Sequence, residues 1–338
     1  MKELIARLVE AYGPSGNEEQ VRALIQDEIK AHVDEARVDA LGNLVALLKS
    51  DPGGQGKPPT RVMVAAHMDE IGIIVTHIDE KGFLRFAPIG GLTPLTLLGN
   101  RAVFANGVMG TFGMEKREIL PTEKPKLDRM FLDVGAPDKE SALKLVSVGD
   151  AAAFSRGFAQ AGNRLLAKAM DDRIGCAILI QVVKTLKKNP NDIYFVFTVQ
   201  EEVGCRGAVT STYGVQPDLA IAVDATDTGD TPESRPMNVT LGKGPAIKVK
   251  DAGMLAHPAV RRLLVEAAKG LGIPYQLEVL EGGSTDAMVM QTSREGVPSG
   301  VVSIPCRYVH SPSEMVDYDD VTNAVKLLTK VLEDRVAI

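Results

Sequence analysis

Four short apolar runs in this chain stop abruptly on acids or histidines, and this limits the fold more than any other feature. RVMVAA runs into His67 and Asp69, DIYFVFTV into Glu201 and Glu202, LAIAV into Asp224, and SGVVSIP leads to His310. A continuous apolar run of this length is the pattern of a strand covered on both faces. Helical stretches alternate with the runs: DDRIGCAILIQVVKTLKK, HPAVRRLLVEAAKGLG and a closing DVTNAVKLLTKVLED. That alternation predicts an α/β fold with a mostly parallel sheet flanked by helices. In open α/β sheets the site lies beyond the carboxyl ends of the strands, where these polar residues fall.

The remaining segments complete the organisation. MKELIARLVEAYG carries charges inside its apolar pattern, which predicts an amphipathic helix rather than a signal peptide. GPSGNEEQVRALIQDEIKAHV predicts a second helix with Asn17 as N-cap. ARVDALGNLVALL then reads as a hairpin-like pair and DPGGQGKPPT as a loop. Between residues 70 and 164 the texture changes to short alternating strands, among them GFLRFAPI, RAVFANGVMGTFG and RMFLDVG. This predicts a small antiparallel barrel or sandwich inserted into the chain. The expected division is a discontinuous catalytic domain of residues 1–69 and 165–338, interrupted by a β domain of residues 70–164.

Composition excludes several classes. A formal charge of −6 over 338 residues disfavours nucleic acid as an electrostatic partner. No run approaches the ~18 apolar residues of a membrane span. Three widely spaced cysteines without a CxxC pair suit a reducing cytoplasm and no disulfide framework. No G-x-S-x-G elbow, H-E-x-x-H helix or phosphate loop is present.

Taken singly, each polar cluster has an ordinary explanation. Asp171 and Asp172 could cap the helix that follows them, Glu201 and Glu202 could be a solvated turn, and His310 a satisfied loop histidine. Taken together, adjacent acids after a buried strand, two strand-end aspartates and two histidines make the O/N donor set of a two-metal site. His67 and Asp69, two apart in an extended chain, face the same side, where a carboxylate can fix the imidazole tautomer.

HMDEIG, AKAMDDRIG, TVQEEVGCRGA, AVDATD and CRYVHSPSE occur in the order and at the intervals of a known family, along essentially the whole chain. The sequence resembles the dinuclear metalloaminopeptidases that assemble into tetrahedral particles, including glutamyl and leucyl aminopeptidases, some of which carry an endoglucanase label. The resemblance implies that Asp171 bridges two divalent ions, with Glu202 and His310 completing one and His67 and Asp224 the other. It implies Glu201 as general base and Asp69 as the residue orienting His67. Thr285, Asp286 and Arg307 follow as candidate substrate contacts. Ser284, in GGSTDAMV, stands where the family pattern leads one to expect glycine. Cys205 reads as a small buried thiol, and His32, His77 and His257 as structural.

The implied enzyme is a cytoplasmic, dinuclear metal-dependent aminopeptidase that removes N-terminal residues from peptides with a metal-activated water. The mixed ligands suit Zn²⁺, Co²⁺ or Mn²⁺. The implied partners are peptides with a free N-terminus and further copies of the chain, as dimers assembling to a dodecamer. Three rivals stand beside it: a different hydrolase on the same metals, a glycosidase, and a metal-free binding or scaffold protein on a peptidase fold. An amidohydrolase or deacylase would accept N-acylated substrates, and a glycosidase would need two carboxylates and no metal.

Overall fold

The computed structural model describes residues 1–51, 58–115 and 124–336. Most of the loop expected at residues 51–60 lies outside them, while the strand after it begins at Arg61. Four parallel strands form the centre of the main sheet, in the order Asp192–Thr198, Arg61–His67, Leu219–Thr226 and Ser299–Arg307. Antiparallel strands extend it on both sides, so the sheet is mixed around a parallel core. Glu35–Val38 and Leu44–Leu48 lie at one edge, and Glu314–Asp317, Arg164–Ala167 and Ala159–Ala161 at the other.

Period-two alternation builds a core on each face of this sheet. Val62, Val64 and Ala66 join the larger core with the helices Lys2–Glu10, Glu19–Ile29, Met170–Thr185 and Tyr318–Glu333. Met63 and Ala65 point the other way, toward the helices Arg206–Val215 and Ala287–Met290. All eight residues of Leu219–Thr226 are buried, as a strand covered on both faces requires. The parallel register sets Thr198 beside His67, so the polar strand ends emerge along one edge.

A closed antiparallel barrel interrupts this domain. Its six strands run from Gly72–Ile78 to Ala151–Phe154. Phe86 and Phe154 both pack against Phe112 in its interior, at ring centroid distances of 5.4 and 6.2 Å. The chain leaves the large sheet just after His67. It rejoins it at Ala159–Ala161 and Arg164–Ala167, which pair with the large sheet and not with the barrel. Asn17 does not cap the second helix. Glu18 is the N-cap residue without a side-chain cap bond, because its carboxylate accepts instead from Gly16 N and Gln200 N.

One buried cation ties the amino-terminal helices to the sheet end. Arg173, fully buried, donates to the carbonyls of Leu8 (2.7 Å), Ala11 (3.2 Å), Gly13 (3.0 Å) and Met68, and meets Glu70 at 3.4 Å. Lys168 Nζ contacts both Glu70 oxygens at 2.7 Å. Replacing Arg173 with methionine keeps much of the volume but takes this donor from the Leu8 and Met68 carbonyls, while Ala11 keeps Lys168 and Gly13 keeps the Glu70 amide, and it weakens the pairing of Glu70. Unfolding in urea is expected to show a loss of about 3–5 kcal/mol. A loss below about 1 kcal/mol would mean that the surrounding apolar packing carries this junction.

Candidate metal centre and active site

The strand ends bring His67, Asp171, Glu201, Glu202, Asp224 and His310 into one cluster, with Asp171 at its middle. His67 Nε2 lies 3.1 Å from Asp171 Oδ1, and His310 Nε2 lies 3.4 Å from Asp171 Oδ2. On the His67 side, Asp224 Oδ1 is 3.7 Å and Glu201 Oε2 3.9 Å from the same imidazole nitrogen. On the His310 side, Glu202 Oε2 is 3.1 Å away. Donor atoms of His67, Asp171 and Asp224 lie within 4.8 Å of one another, as do those of Asp171, Glu202 and His310.

Buried acids hold the backbone of every one of these segments but that of Asp224. Asp69 accepts from Glu201 N (3.0 Å) on Oδ1, and from Glu202 N (3.1 Å) and the Ser15 hydroxyl (2.6 Å) on Oδ2. Its carbonyl oxygen, 3.1 Å from His67 Nδ1, turns the other imidazole nitrogen into the cluster. Asp172 accepts from His67 N, and Glu314 from His310 N (2.8 Å) and Asp171 N (3.0 Å). Ser15, Glu18 and Glu314 are parts of the site that the sequence reading did not single out. The only signal was the position of Glu314 at the end of CRYVHSPSE.

Charge in the cluster is unbalanced in one direction. Burial pushes the Glu201 carboxyl up to about 8, although His67 acts against it, and it raises Glu202 and Asp224 as well. Burial opposes protonation of His310, but hydrogen bonds with Asp171 and Glu202 outweigh it and carry the imidazole to about 11. Asp171 is lowered against burial by hydrogen bonds from His310 and His67. Oε1 of Glu202 is buried without a hydrogen-bond partner. Carboxylates in excess, imidazoles as the only cations they pair with among the described residues, and an orphaned carboxylate oxygen are the chemistry of a divalent-cation site.

The cluster opens into a cavity of about 410 Å³. A loop of the insert reaches the cluster: a Cβ on Gly91 would lie 2.6 Å from His310 Nδ1, so no larger residue fits there without displacing the imidazole. Cys205 and Ser284 line the cavity; Cys205 Sγ donates to Glu201 Oε1 at 3.1 Å, and Ser284 donates to Asp251 at 3.1 Å. Thr285 and Asp286 are buried and not among the lining residues. Thr285 accepts from Ala287 N, and Asp286 accepts from the Thr198 hydroxyl at 2.5 Å. Arg307 is held by Asp230 through two hydrogen bonds of 2.9 and 2.7 Å, also away from the lining. His32, His77 and His257 are exposed, and the last accepts weakly from Ala259 N at the start of its helix.

Comparison with known proteins bears on this geometry. The family model of the M42 glutamyl aminopeptidases matches residues 42–327. The chain belongs to the M42 family. A relative from Acetivibrio thermocellus is 50% identical over 332 residues, 98% of each chain. The lysyl aminopeptidase of Pyrococcus furiosus is 38% identical over 344 residues, 98% of this chain and 96% of its own. Among solved structures, an aminopeptidase from the archaeon Desulfurococcus kamchatkensis superposes with a TM-score of 0.92 at 43% identity, covering 98% of this chain and 94% of its own. The TET1 peptidase of Pyrococcus horikoshii, which can assemble into a tetrahedron or a large octahedral shell, has a TM-score of 0.87 at 32% identity, with 98% of each chain covered. This M42 chain is thus an aminopeptidase by family, and among its described residues no helix is long and apolar enough to cross a membrane.

Glu18 supplies a pH test of the scaffold around the site. Burial, and then the charge of Asp69, raise its carboxyl from an ordinary 4.5 to about 7. The folded protein therefore binds more protons than the unfolded chain between those values, and stability falls as pH rises through that window. Glu18→Gln keeps an accepting oxygen for Gly16 N and Gln200 N but cannot ionise. In metal-stripped protein, the stability of Glu18→Gln relative to wild type should rise from about pH 4.5 to about pH 7 and then level off. Urea midpoints across that range check this, and a difference flat in pH would contradict it.

Proposed function

We propose that this aminopeptidase works through two divalent ions, one held by His67, Asp171 and Asp224 and the other by Asp171, Glu202 and His310. The observation that carries this reading is the split of the Asp171 carboxylate, one oxygen toward each histidine, with a further acid beside each. When bound, such a pair of ions supplies Lewis-acid polarisation of the scissile carbonyl and a water of lowered pKa. Zn²⁺, Co²⁺ and Mn²⁺ all match the mixed carboxylate and imidazole donors.

The chain's own residues have distinct tasks. Glu201 accepts a proton from the attacking water and returns it to the leaving amine. Its burial raises the proton affinity this requires, and the thiol of Cys205 occupies Oε1, leaving Oε2 toward the cluster. Asp69 acts one step back. It grips the backbone amides of Glu201 and Glu202 together, so base and ligand are placed by one carboxylate. Asp172 and Glu314 do the same for His67, Asp171 and His310.

The two adjacent glutamates should fail differently. Glu201→Gln keeps size and shape but has no basic oxygen, so turnover should fall by roughly two orders of magnitude or more with both ions retained. Glu202→Gln removes a charged donor, so metal content should drop first and activity should return in part at high metal concentration. Metal analysis of both purified variants alongside their rates decides between the roles. Metal loss in Glu201→Gln with full loading of an inactive Glu202→Gln would exchange them.

The barrel, within the insert of residues 70–164, is assigned a second role in covering the site and in assembly of the catalytic domain formed by residues 1–69 and 165–338. Its Gly90–Gly91 loop lies against Glu202 and His310, and the Pyrococcus horikoshii relative forms closed shells. A closed homo-oligomer, dimers assembled into a dodecamer in the tetrahedral form, would admit peptides with a free N-terminus and exclude folded proteins. Mass measurement in solution should give a large assembly. A fully active monomer that trims folded proteins would count against this role.

A further inference from the structure

Behind Glu201 lie two groups that the two-metal reading leaves unused. Cys205 is 3% exposed, and its thiol donates to Glu201 Oε1 at 3.1 Å. Asp286 is 2% exposed; its Oδ2 accepts from Thr198, while its Oδ1 is buried with no hydrogen-bond partner. One donor atom from each of Glu201, Cys205 and Asp286 lies within 4.8 Å of the other two. The only ion pair any of the three makes among the described residues is that of Glu201 with His67, at 3.9 Å. Glu201 and Cys205 both line the cavity, so a small solute reaches them from it.

We propose that Glu201, Cys205 and Asp286 form a further cation site, separate from the two sets that share Asp171, which takes a thiophilic divalent ion such as Zn²⁺ or Cd²⁺ and inhibits the enzyme when filled. The donor set decides the class of ion. One sulfur with two carboxylates favours borderline and soft ions, whereas Mg²⁺ prefers oxygen donors and keeps its waters. Binding is an exchange without electron transfer: the Cys205 S–H bond breaks, a sulfur–metal bond forms, and the proton leaves to solvent. The orphaned oxygen of Asp286 gains a partner, and Glu201 is drawn away from the attacking water. The inhibition clause rests on Glu201 being the base; the ion site itself does not.

Cd²⁺ titrated into the metal-loaded enzyme tests this, because only a thiolate ligand gives the ultraviolet sulfur-to-Cd²⁺ charge-transfer absorption and neither Asp171 set contains sulfur. Wild type should gain that absorption for one thiolate per subunit, with one extra ion by equilibrium dialysis, over the same Cd²⁺ range that inhibits peptide hydrolysis. Cys205→Ala should lack the absorption, which also separates it from the buried Cys176 and Cys306. Both Cys205→Ala and Asp286→Asn should need about tenfold or more Cd²⁺ for half-inhibition. No thiolate absorption in wild type, or the same absorption in Cys205→Ala, overturns the site even if Glu201→Gln behaves as a lost base. Absorption and an extra ion with activity unchanged would instead overturn the inhibition and the role of Glu201 as base, with the ion site left standing.

Discussion

A carboxylate buried between two imidazoles organises the centre of this molecule. Asp171 presents one oxygen to His67 and the other to His310, and its own backbone amide is fixed by Glu314. Placing that charge in a protein interior is unfavourable unless it is paired. The surrounding Glu201, Glu202 and Asp224 have the same sign, and burial pushes all three up. Such crowding would disperse in a loop free to move. It persists here because each member hangs from the end of a strand or helix whose core is closed on both faces.

The charges are arranged in layers around this centre. The inner layer is acids and histidines facing one another. The next layer is also acidic, but Asp69, Asp172 and Glu314 spend their oxygens on backbone amides of the inner segments. Arg173 and Lys168 stand in the layer beyond, where they bind Glu70 and the carbonyls of the amino-terminal segment, and Lys248, on the cavity wall, is paired with Glu278 and Asp251. A cationic side chain one layer closer would neutralise the inner acids and remove the reason for an ion to bind. Keeping Arg173 and Lys168 back while fixing the amides of His67, Asp171, Glu201, Glu202 and His310 leaves an ordered cluster short of positive charge, which is what pre-organisation of a metal centre requires.

Much of this could be read from the chain alone, and the division follows the range of the interactions. His67, Glu201, Glu202, Asp224 and His310 were legible because each follows an apolar run whose pattern reveals a buried strand, and Asp171 because it opens a helix with an apolar face; an α/β sheet collects such ends on one edge. The barrel was legible from alternation broken by turn residues. Ser15 and Glu18 were not, because they act on Asp69 and Gln200 across long sequence separations that no local pattern encodes. The same limit applies to Asn17, whose capping pattern was outcompeted once Glu18 turned toward Gln200. Thr285, Asp286 and Arg307 entered as candidate substrate contacts through the family resemblance alone; in the fold Thr285 accepts from Ala287 N, Asp286 accepts from Thr198 and Arg307 donates to Asp230.

The cavity shows why a shared donor set does not settle which residue is removed. Around the inner cluster the cavity is lined by further residues from several elements, some of them in the main sheet. Gly90 of the insert packs beside Glu202, Ser284 reaches Asp251, and Lys248 is pinned by Glu278 at 2.8 Å. Ser284 and Lys248 take no part in holding the inner cluster, so they can change without disturbing it, whereas Gly90 leaves no room for a side chain beside Glu202. The matching family model is named for glutamyl cleavage and a 38% identical relative is a lysyl aminopeptidase, so membership of the family does not by itself give the residue removed. In this chain, Lys248 sits between Glu278 and Asp251 with its charge already matched, so the wall offers an incoming acidic side chain no free cation from that position.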